Sequence, residues 1–548
     1  MSRSVLYPGL MPPIRRQNRV FVITAISCLL ITLIFPGVVS SQLIDPSDFQ
    51  YAGAFRLPYE GDYGWNWSGF AATYFPDGDP TGPSDGYPGS IFALGHDQQQ
   101  LVSEISIPIP VISPTKDVAD LNTASTLQPF SDITGGMFGY LEIPQAGLAY
   151  LPAQGSQTTP KIHFCWSQHI QGFVPTHGWA ELDLSDPQPA GAWLIDGFTP
   201  YATADYLFDI PPDWASVNTP GKLLATGRFR EGVWSGYGPA LFAYGPWNEG
   251  NPPAPGTTLN QITPLLLYGI QQPGTPEIAT DDSMKMRTFN ADDEWTGGAW
   301  LTSGSKSAVA FVGTKGMGSW WYGFLDGTVW PDEPPYPPVP PWPYDARGFW
   351  SDSVKTQILL FDPAELGEVA RGDRATWYPQ PYDSLDINPV MFDAERDPYR
   401  EKYSLVGAAC FDRQRGILYV FERRADDEQC LVHAWKLIPS LGIPALSIDS
   451  VNPTTARLSW SAVPSATHYE IYRSSEAPFD IEGAPWETVA TPDSTFMITE
   501  GINDPEITFF YRIRAGNTTQ YSPGSNTVGA FEFSLSGMPE PPSGEEIQ

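Results

Sequence analysis

Five stretches of the chain each place a polar residue after a largely apolar run: Ile91-Phe-Ala-Leu-Gly95 before His96, Ile162-His-Phe-Cys-Trp166 before Ser167, Leu223-Leu-Ala-Thr-Gly227 before Arg228, Val309-Ala-Phe-Val-Gly313 before Thr314, and Ile417-Leu-Tyr-Val-Phe421 before Glu422. Lys315 and Arg423 follow two of them. An imidazole, a guanidinium, hydroxyls and a carboxylate brought onto one ring would hydrogen-bond sugar hydroxyls or a carboxylate better than they would hold a metal. His96, Arg228, Lys315, Glu422 and Arg423 are therefore the candidate ligand-binding residues, and the same groups would equally serve to bond one repeat to the next. Glycoside hydrolysis would need two carboxylates at a set separation. Asp97, Glu104, Asp292, Asp293, Glu294 and Glu422 are available, none is singled out by its neighbours, and no catalytic residue is assigned. No Gly-x-Ser-x-Gly precedes a predicted helix, so nucleophilic serine chemistry has no support. The run Asp77-Gly-Asp79-Pro-Thr81-Gly82-Pro-Ser-Asp85 sets oxygen ligands at the first, third, fifth and ninth places of a calcium loop, but Pro88 stands where a bidentate Glu belongs. Calcium is the one metal that Asp77, Asp79 and Asp85 suggest, an acidic hairpin tip is the plainer reading, and no other cofactor is indicated. Trp65, Trp67, Trp320 and Trp321 could stack on sugar rings or fill space between repeats.

Positioning those residues requires strands. The 51 glycines and 57 prolines fall between short runs of Val, Ile, Tyr, Phe and Trp, a strand-and-turn composition that leaves little room for long helices. The fold class expected is all-β. Flanking strands correspond around the five runs: Gly69–Tyr74, Gly147–Tyr150, Gly297–Leu301 and Gly407–Phe411 before them, and Val102–Ile107, Trp179–Asp183, Ala240–Tyr244, Trp320–Tyr322 and Val432–Leu437 after them. A meander of three or four strands repeated about five times predicts a β-propeller over 42–440, whose blades bury their faces only against their neighbours. The spacing is uneven, so six or seven blades, or a pair of β-sandwiches, remain open. The proline-rich run from Trp330 to Tyr344 is an extended insertion, a lid over one face or a strap against the side.

The character changes at Pro444. Arg457-Leu-Ser-Trp460, His468-Tyr-Glu-Ile-Tyr-Arg473 and Tyr511-Arg-Ile-Arg-Ala515 resemble the B, C and F strands of a fibronectin type III module, and Pro523–Val528 resembles its last strand. The resemblance covers 444–535 and implies a two-sheet sandwich with Trp460, Tyr511, Ile513 and Ala515 inside. No Arg-Gly-Asp occurs within 444–535, so the module itself does not imply adhesion of the integrin type. A protein partner through this module stays open. Residues 536–548 are an acidic, proline-bearing tail predicted to be disordered.

Arg15, Arg16 and Arg19 precede an apolar stretch from Val20 to Phe35, and Pro36–Ser41 supplies a helix break and small residues. This is the pattern of a signal peptide over 1–41, with an uncleaved anchor as the rival, and it predicts an exported protein of bacterial type, extracellular or on the cell surface, with no membrane span after cleavage. Four of the 30 basic residues and none of the 62 acidic ones lie in that segment, which leaves a formal charge of −36 on the rest. Such a surface repels nucleic acid and anionic membranes. Of Cys165, Cys410 and Cys430, the last two could form one bridge. These features favour an extracellular glycan or similar polar ligand as partner. A secreted glycoside hydrolase or lyase is the first alternative, and a structural cell-surface protein the second.

Overall fold

The computed structural model describes residues 42–529 apart from 62, 230–231, 394–404, 439–440, 482, 501, 503–508 and 519. The expected signal peptide and tail lie outside these residues, and no described helix is long and apolar enough to cross a membrane.

Short apolar runs cut by glycine, proline and side-chain-capped turns build strands throughout. After β1 (Phe49–Arg56) come four antiparallel meanders. The first sheet is β2 (Ala72–Phe75), β3 (Ser90–Leu94), β4 (Val102–Ser106) and β5 (Thr126–Ser131). The second is β6 (Gln145–Leu151), β7 (Lys161–Ser167), β8 (His177–Ala180) and β9 (Ala190–Ile195), and the third β10 (Tyr206–Asp209), β11 (Leu224–Gly227), β12 (Leu241–Tyr244) and β13 (Thr263–Leu266). The fourth comprises β14 (Glu294–Ser303), β15 (Lys306–Gly323), β16 (Gly348–Phe361) and β17 (Asp383–Asp386). Two-residue strands at Gln42–Leu43 and Thr258–Leu259 join the fourth and second sheets. The fifth sheet takes β18 (Val406–Asp412), β19 (Ile417–Asp426) and β20 (Gln429–Leu437) from late in the chain, and its fourth strand is β1, paired with β20 from Phe49 opposite Leu437 to Arg56 opposite Leu431.

The first strands of these sheets are neighbours in a closed cycle: β2 beside β6, β6 beside β10, β10 beside β14, β14 beside β18, and β18 beside β2. Each neighbouring pair of sheets has its own apolar core. Leu148 and Phe164 meet Phe92 between the first and second, Trp193 meets Leu224 between the second and third, and Phe311 meets Tyr206 between the third and fourth. Leu418 meets Leu360 between the fourth and fifth, and Phe55 and Tyr419 meet Ile91 between the fifth and first. Backbones come close where the cycle closes: a Cβ on Gly407 would collide with the Gly69 carbonyl, to which Ala408 N donates at 2.8 Å. Tyr150 N donates to Thr73 Oγ1 (2.8 Å) and Leu405 N to Thr314 Oγ1 (2.8 Å) at other seams.

Two expectations need correcting here. Trp320–Tyr322 is not a third strand but the outer part of β15, which with β16 forms a hairpin running past its sheet, so that Trp320 is half exposed. The proline-rich insertion straps this hairpin: Trp330 N donates to Tyr322 O (2.8 Å), and the Trp330 ring lies against Tyr336 and under the Arg347 guanidinium. Cys410 and Cys430 are not bridged. They sit on β18 and β20 with β19 between them, which is two strand spacings, or roughly 10 Å, beyond the reach of a disulfide.

The C-terminal module is a sandwich of two sheets, β21 (Leu446–Asn452), β22 (Thr455–Trp460) and β25 (Thr495–Ile498) against β24 (Glu487–Ala490), β23 (His468–Ser474), β26 (Phe510–Gly516) and β27 (Val528–Gly529). This three-and-four order is fibronectin type III-like. Trp460, Tyr469, Tyr511, Ile513 and Ala515 are buried together, as period-two alternation along β26 requires.

Candidate ligand site

Register puts the five polar residues level with the start of the first strands. Ser167 lies opposite Gln145, Thr314 opposite Glu294, and Glu422 opposite Val406, while Arg228 follows the Gly227–Tyr206 pair and His96 follows Leu94, which bonds Ala71. At this end several of the groups have partners within the protein. Arg228, buried, donates to Ser167 Oγ (2.8 Å) and Gln168 O (3.3 Å), and Ser167 in turn donates to Ala204 O (2.7 Å). Arg423 lies 3.8 Å over the Phe70 ring, and Lys315 holds Asp293 at 2.7 Å. Glu422 accepts from Phe392 N (2.9 Å) and Asp393 N (2.6 Å) and lies 2.7 Å from His433 Nε2. His96 stands apart, against Asp97 (3.1 Å) and Tyr63.

Sequence reasoning missed the residue at the centre of this group. Asp205, just before β10, is buried within the fields of Arg228, Glu294 and Arg423, and its Oδ1 has no hydrogen-bond partner. Burial raises its pKa well above the usual carboxylate value, with Glu294 adding to the rise and the two guanidinium groups opposing it. A carboxyl that binds its proton more tightly in the folded chain favours folding most at low pH. Its contribution shrinks as pH climbs above the unfolded value of about 3.9, until the folded value is passed. Asp205→Asn should therefore flatten the fall of stability between pH 4 and 8, by up to about 1.4 kcal/mol per pH unit over the affected range. Urea midpoints across that range check it, and parallel slopes for the two proteins would refute it.

The opposite ends of the same strands surround open space. A cavity of about 390 Å³ is lined by residues of all five first strands, β2, β6, β10, β14 and β18. Tyr74, Tyr150, Trp300 and Phe411 give it aromatic walls. Across it, Arg413 Nη2 meets Asp209 Oδ2 at 2.7 Å while Nη1 donates to Trp300 O at 3.1 Å, tying the third, fourth and fifth sheets together. Asp412 contributes a second, buried carboxylate, which accepts from Gln414 N (3.0 Å) and Arg415 N (3.1 Å). Burial, with Asp412 next in effect, pushes the Tyr74 phenol up and keeps it a donor, here to Pro88 O (2.9 Å).

None of His96, Arg228, Lys315, Glu422 and Arg423 lines this cavity, and neither do the six carboxylates considered for catalysis. Glu104 is held inside the first sheet by Ser90 and Gln128, and Asp292 by Ser351. The available signal was that Asp209 and Asp412 each close a first strand. Asp77, Asp79 and Asp85 do not form a calcium cage: Asp79 is buried, accepting from Thr81, Asp85 accepts from Tyr87 N, and Asp77 is exposed. Among the described residues no group of three metal-ligating side chains converges. Trp65 is buried against Phe130, and Trp67, half-buried, has the Arg424 guanidinium over one ring face.

No protein-family model matches the sequence, and no curated protein matches it. Solved structures similar to parts of the chain include pectate lyase PelI from Erwinia chrysanthemi in complex with tetragalacturonic acid, at 17% identity and a TM-score of 0.14 over 17% of this chain and 28% of that one. The chain thus spans little more than a quarter of that lyase. An Fn3-like protein from Clostridium thermocellum is similar at 23% identity and a TM-score of 0.13, over 17% of this chain and 90% of the other. The sixth fibronectin type III domain of human fibronectin type III domain containing protein 3 follows at 17% identity and 0.14, over 20% and 93%. The strand order of the C-terminal module carries its fold without them.

Proposed function

We propose that the five sheets are the blades of a five-bladed β-propeller, closed by β1, and that the protein is exported and binds an extracellular glycan in the cavity on the propeller axis. The closed cycle of first strands, the separate core at each seam and the N-terminal strand completing the last sheet support the architecture. The observation that carries the function is the composition of the cavity. Aromatic walls suit the apolar face of a sugar ring, and the Asp209–Arg413 pair with Thr73, Gln154 and Gln414 supplies donors and acceptors for its hydroxyls. Strong net acidity disfavours polyanions at this cavity, and of the neutral and cationic ligands left the aromatic walls favour neutral glycans. The C-terminal module would space this site from a surface or hold a protein partner.

Asp209 and Asp412 both reach the cavity, which is the one observation favouring a carbohydrate-active enzyme as the second reading. Retention on a panel of neutral polysaccharides, with released reducing ends measured on the same samples, separates the two. For a binder, Arg413→Gln should weaken retention about tenfold or more, as loss of charge-assisted hydrogen bonds does, without releasing sugar from any member of the panel. If no polysaccharide is retained, or the variant is retained equally, the axial site is refuted. Released sugar that disappears in Asp209→Asn would establish the enzyme.

A further inference from the structure

A second cavity, of about 550 Å³, lies against the fourth sheet away from the five first strands, lined in part by Arg287, Phe289, Lys315, Lys355, Gln357 and Ser384. Lys315 on β15 and Lys355 on β16 are directly opposite each other in the register. Like charges in that position are unfavourable unless something between or beside them is negative. Asp293 takes up Lys315 at 2.7 Å from the buried side, while Lys355 has only the half-exposed Asp386 at 3.5 Å. Arg287, exposed at the rim, forms no ion pair among the described residues. Asp383 is the one carboxylate in the lining; Lys315 is taken by Asp293, so Arg287, which lies in the field of Glu365, and Lys355 are the cations that face a ligand.

The neutral part of the lining is equally specific. Gln357 Nε2 donates to Ser384 Oγ (2.8 Å), which leaves the Gln357 carbonyl and the Ser384 hydroxyl proton for a ligand, and Phe289 and Tyr382 give the wall flat apolar area. We infer that this cavity is a second binding site, for a carboxylate-bearing sugar: Arg287 and Lys355 take the carboxylate, Gln357 and Ser384 the ring hydroxyls, and Phe289 and Tyr382 face the ring. A planar carboxylate suits a guanidinium fork beside an ammonium group. The site is independent of whether the axial cavity takes a glycan, because the two share no lining residue.

Titration calorimetry of the purified protein at low salt, with glucuronate, glucose and inorganic sulfate as separate probes, tests this. Glucuronate should bind at least tenfold more tightly than either of the others, and Arg287→Gln and Lys355→Gln should each lower its affinity about tenfold or more with the thermal midpoint unchanged. Glucose binding as tightly as glucuronate would remove the role of the charge, and sulfate binding as tightly would reduce the site to a general anion trap. Either result overturns the inference, as does full affinity in both variants.

Discussion

Glu422→Leu should destabilise the five-sheet region by about 3 to 5 kcal/mol, although Glu422 follows an apolar run whose end could be taken for a ligand-facing position. The carboxylate is fully buried and accepts two backbone N–H groups beyond its own sheet, Phe392 and Asp393, while lying 2.7 Å from His433 Nε2. His433 continues the chain through Nδ1 to the Tyr51 hydroxyl at 2.9 Å. Tyr51, on β1, is kept protonated by burial and by the neighbouring Glu422 charge. One carboxylate thus joins β1, β19, β20 and the segment leaving the fourth sheet. Leucine fills similar volume but strands three donors, and each buried donor without a partner costs about 1 to 3 kcal/mol. Glu422→Gln, which keeps one acceptor oxygen, should cost less than half as much. Urea midpoints measure both, and a Leu variant as stable as the parent would show that these hydrogen bonds contribute nothing.

The repeat was legible because burial acts on every sheet alike. All five runs read as middle strands, from Ile91, Ile162, Leu223, Val309 and Ile417, are second strands of the five sheets, since each lies between two partners and is apolar on both faces. Where the pattern failed, an identifiable force was missing from local sequence. Tyr206–Asp209 went unread as a first strand because it carries no leading glycine. Trp320–Tyr322 imitated a strand of its own because aromatic residues in an exposed hairpin look the same in sequence as aromatic residues in a core.

The end of the strands that matters for a ligand was beyond sequence reasoning for a different reason. A polar residue after an apolar strand marks where the strand leaves the core, but not whether the groups there satisfy one another. Arg228 bonds Ser167 and Gln168, and Arg423 lies over Phe70, so these two guanidinium groups have contacts within the protein. At the other end Asp209 and Arg413, more than 200 positions apart in sequence, pair across open space. The C-terminal module was readable because its signal is local: Trp460 and the alternation from Tyr511 to Ala515 determine which face is inside, whatever the rest of the chain does.

Deleting residues 42–56 is expected to have the largest effect of all, the loss of a cooperatively folded five-sheet region. This N-terminal stretch supplies the fourth strand of a sheet whose other three strands begin at Val406. Phe55 and Ala54 are fully buried on it, Phe55 in the core between the fifth and first sheets. Upstream, Ile44 enters the core between the fourth and fifth sheets, its carbonyl accepts from Tyr382 Oη (2.6 Å), and Asp48 pairs with Lys306 (2.7 Å). Two seams would open together and β20 would be left an unpaired edge. Emptying the Phe55 site alone costs about 3 to 5 kcal/mol, and total stability is typically 5 to 15 kcal/mol. The C-terminal module has its own core around Trp460 and should still unfold at its own midpoint. A peptide of residues 42–57 added in trans should restore the lost transition, because the strand pairs through its backbone and buries Phe55 without needing a covalent link. Calorimetry that found both transitions unmoved in the shortened chain would mean that β1 is an ornament on an already complete fifth sheet, and that the cycle of sheets does not depend on being closed.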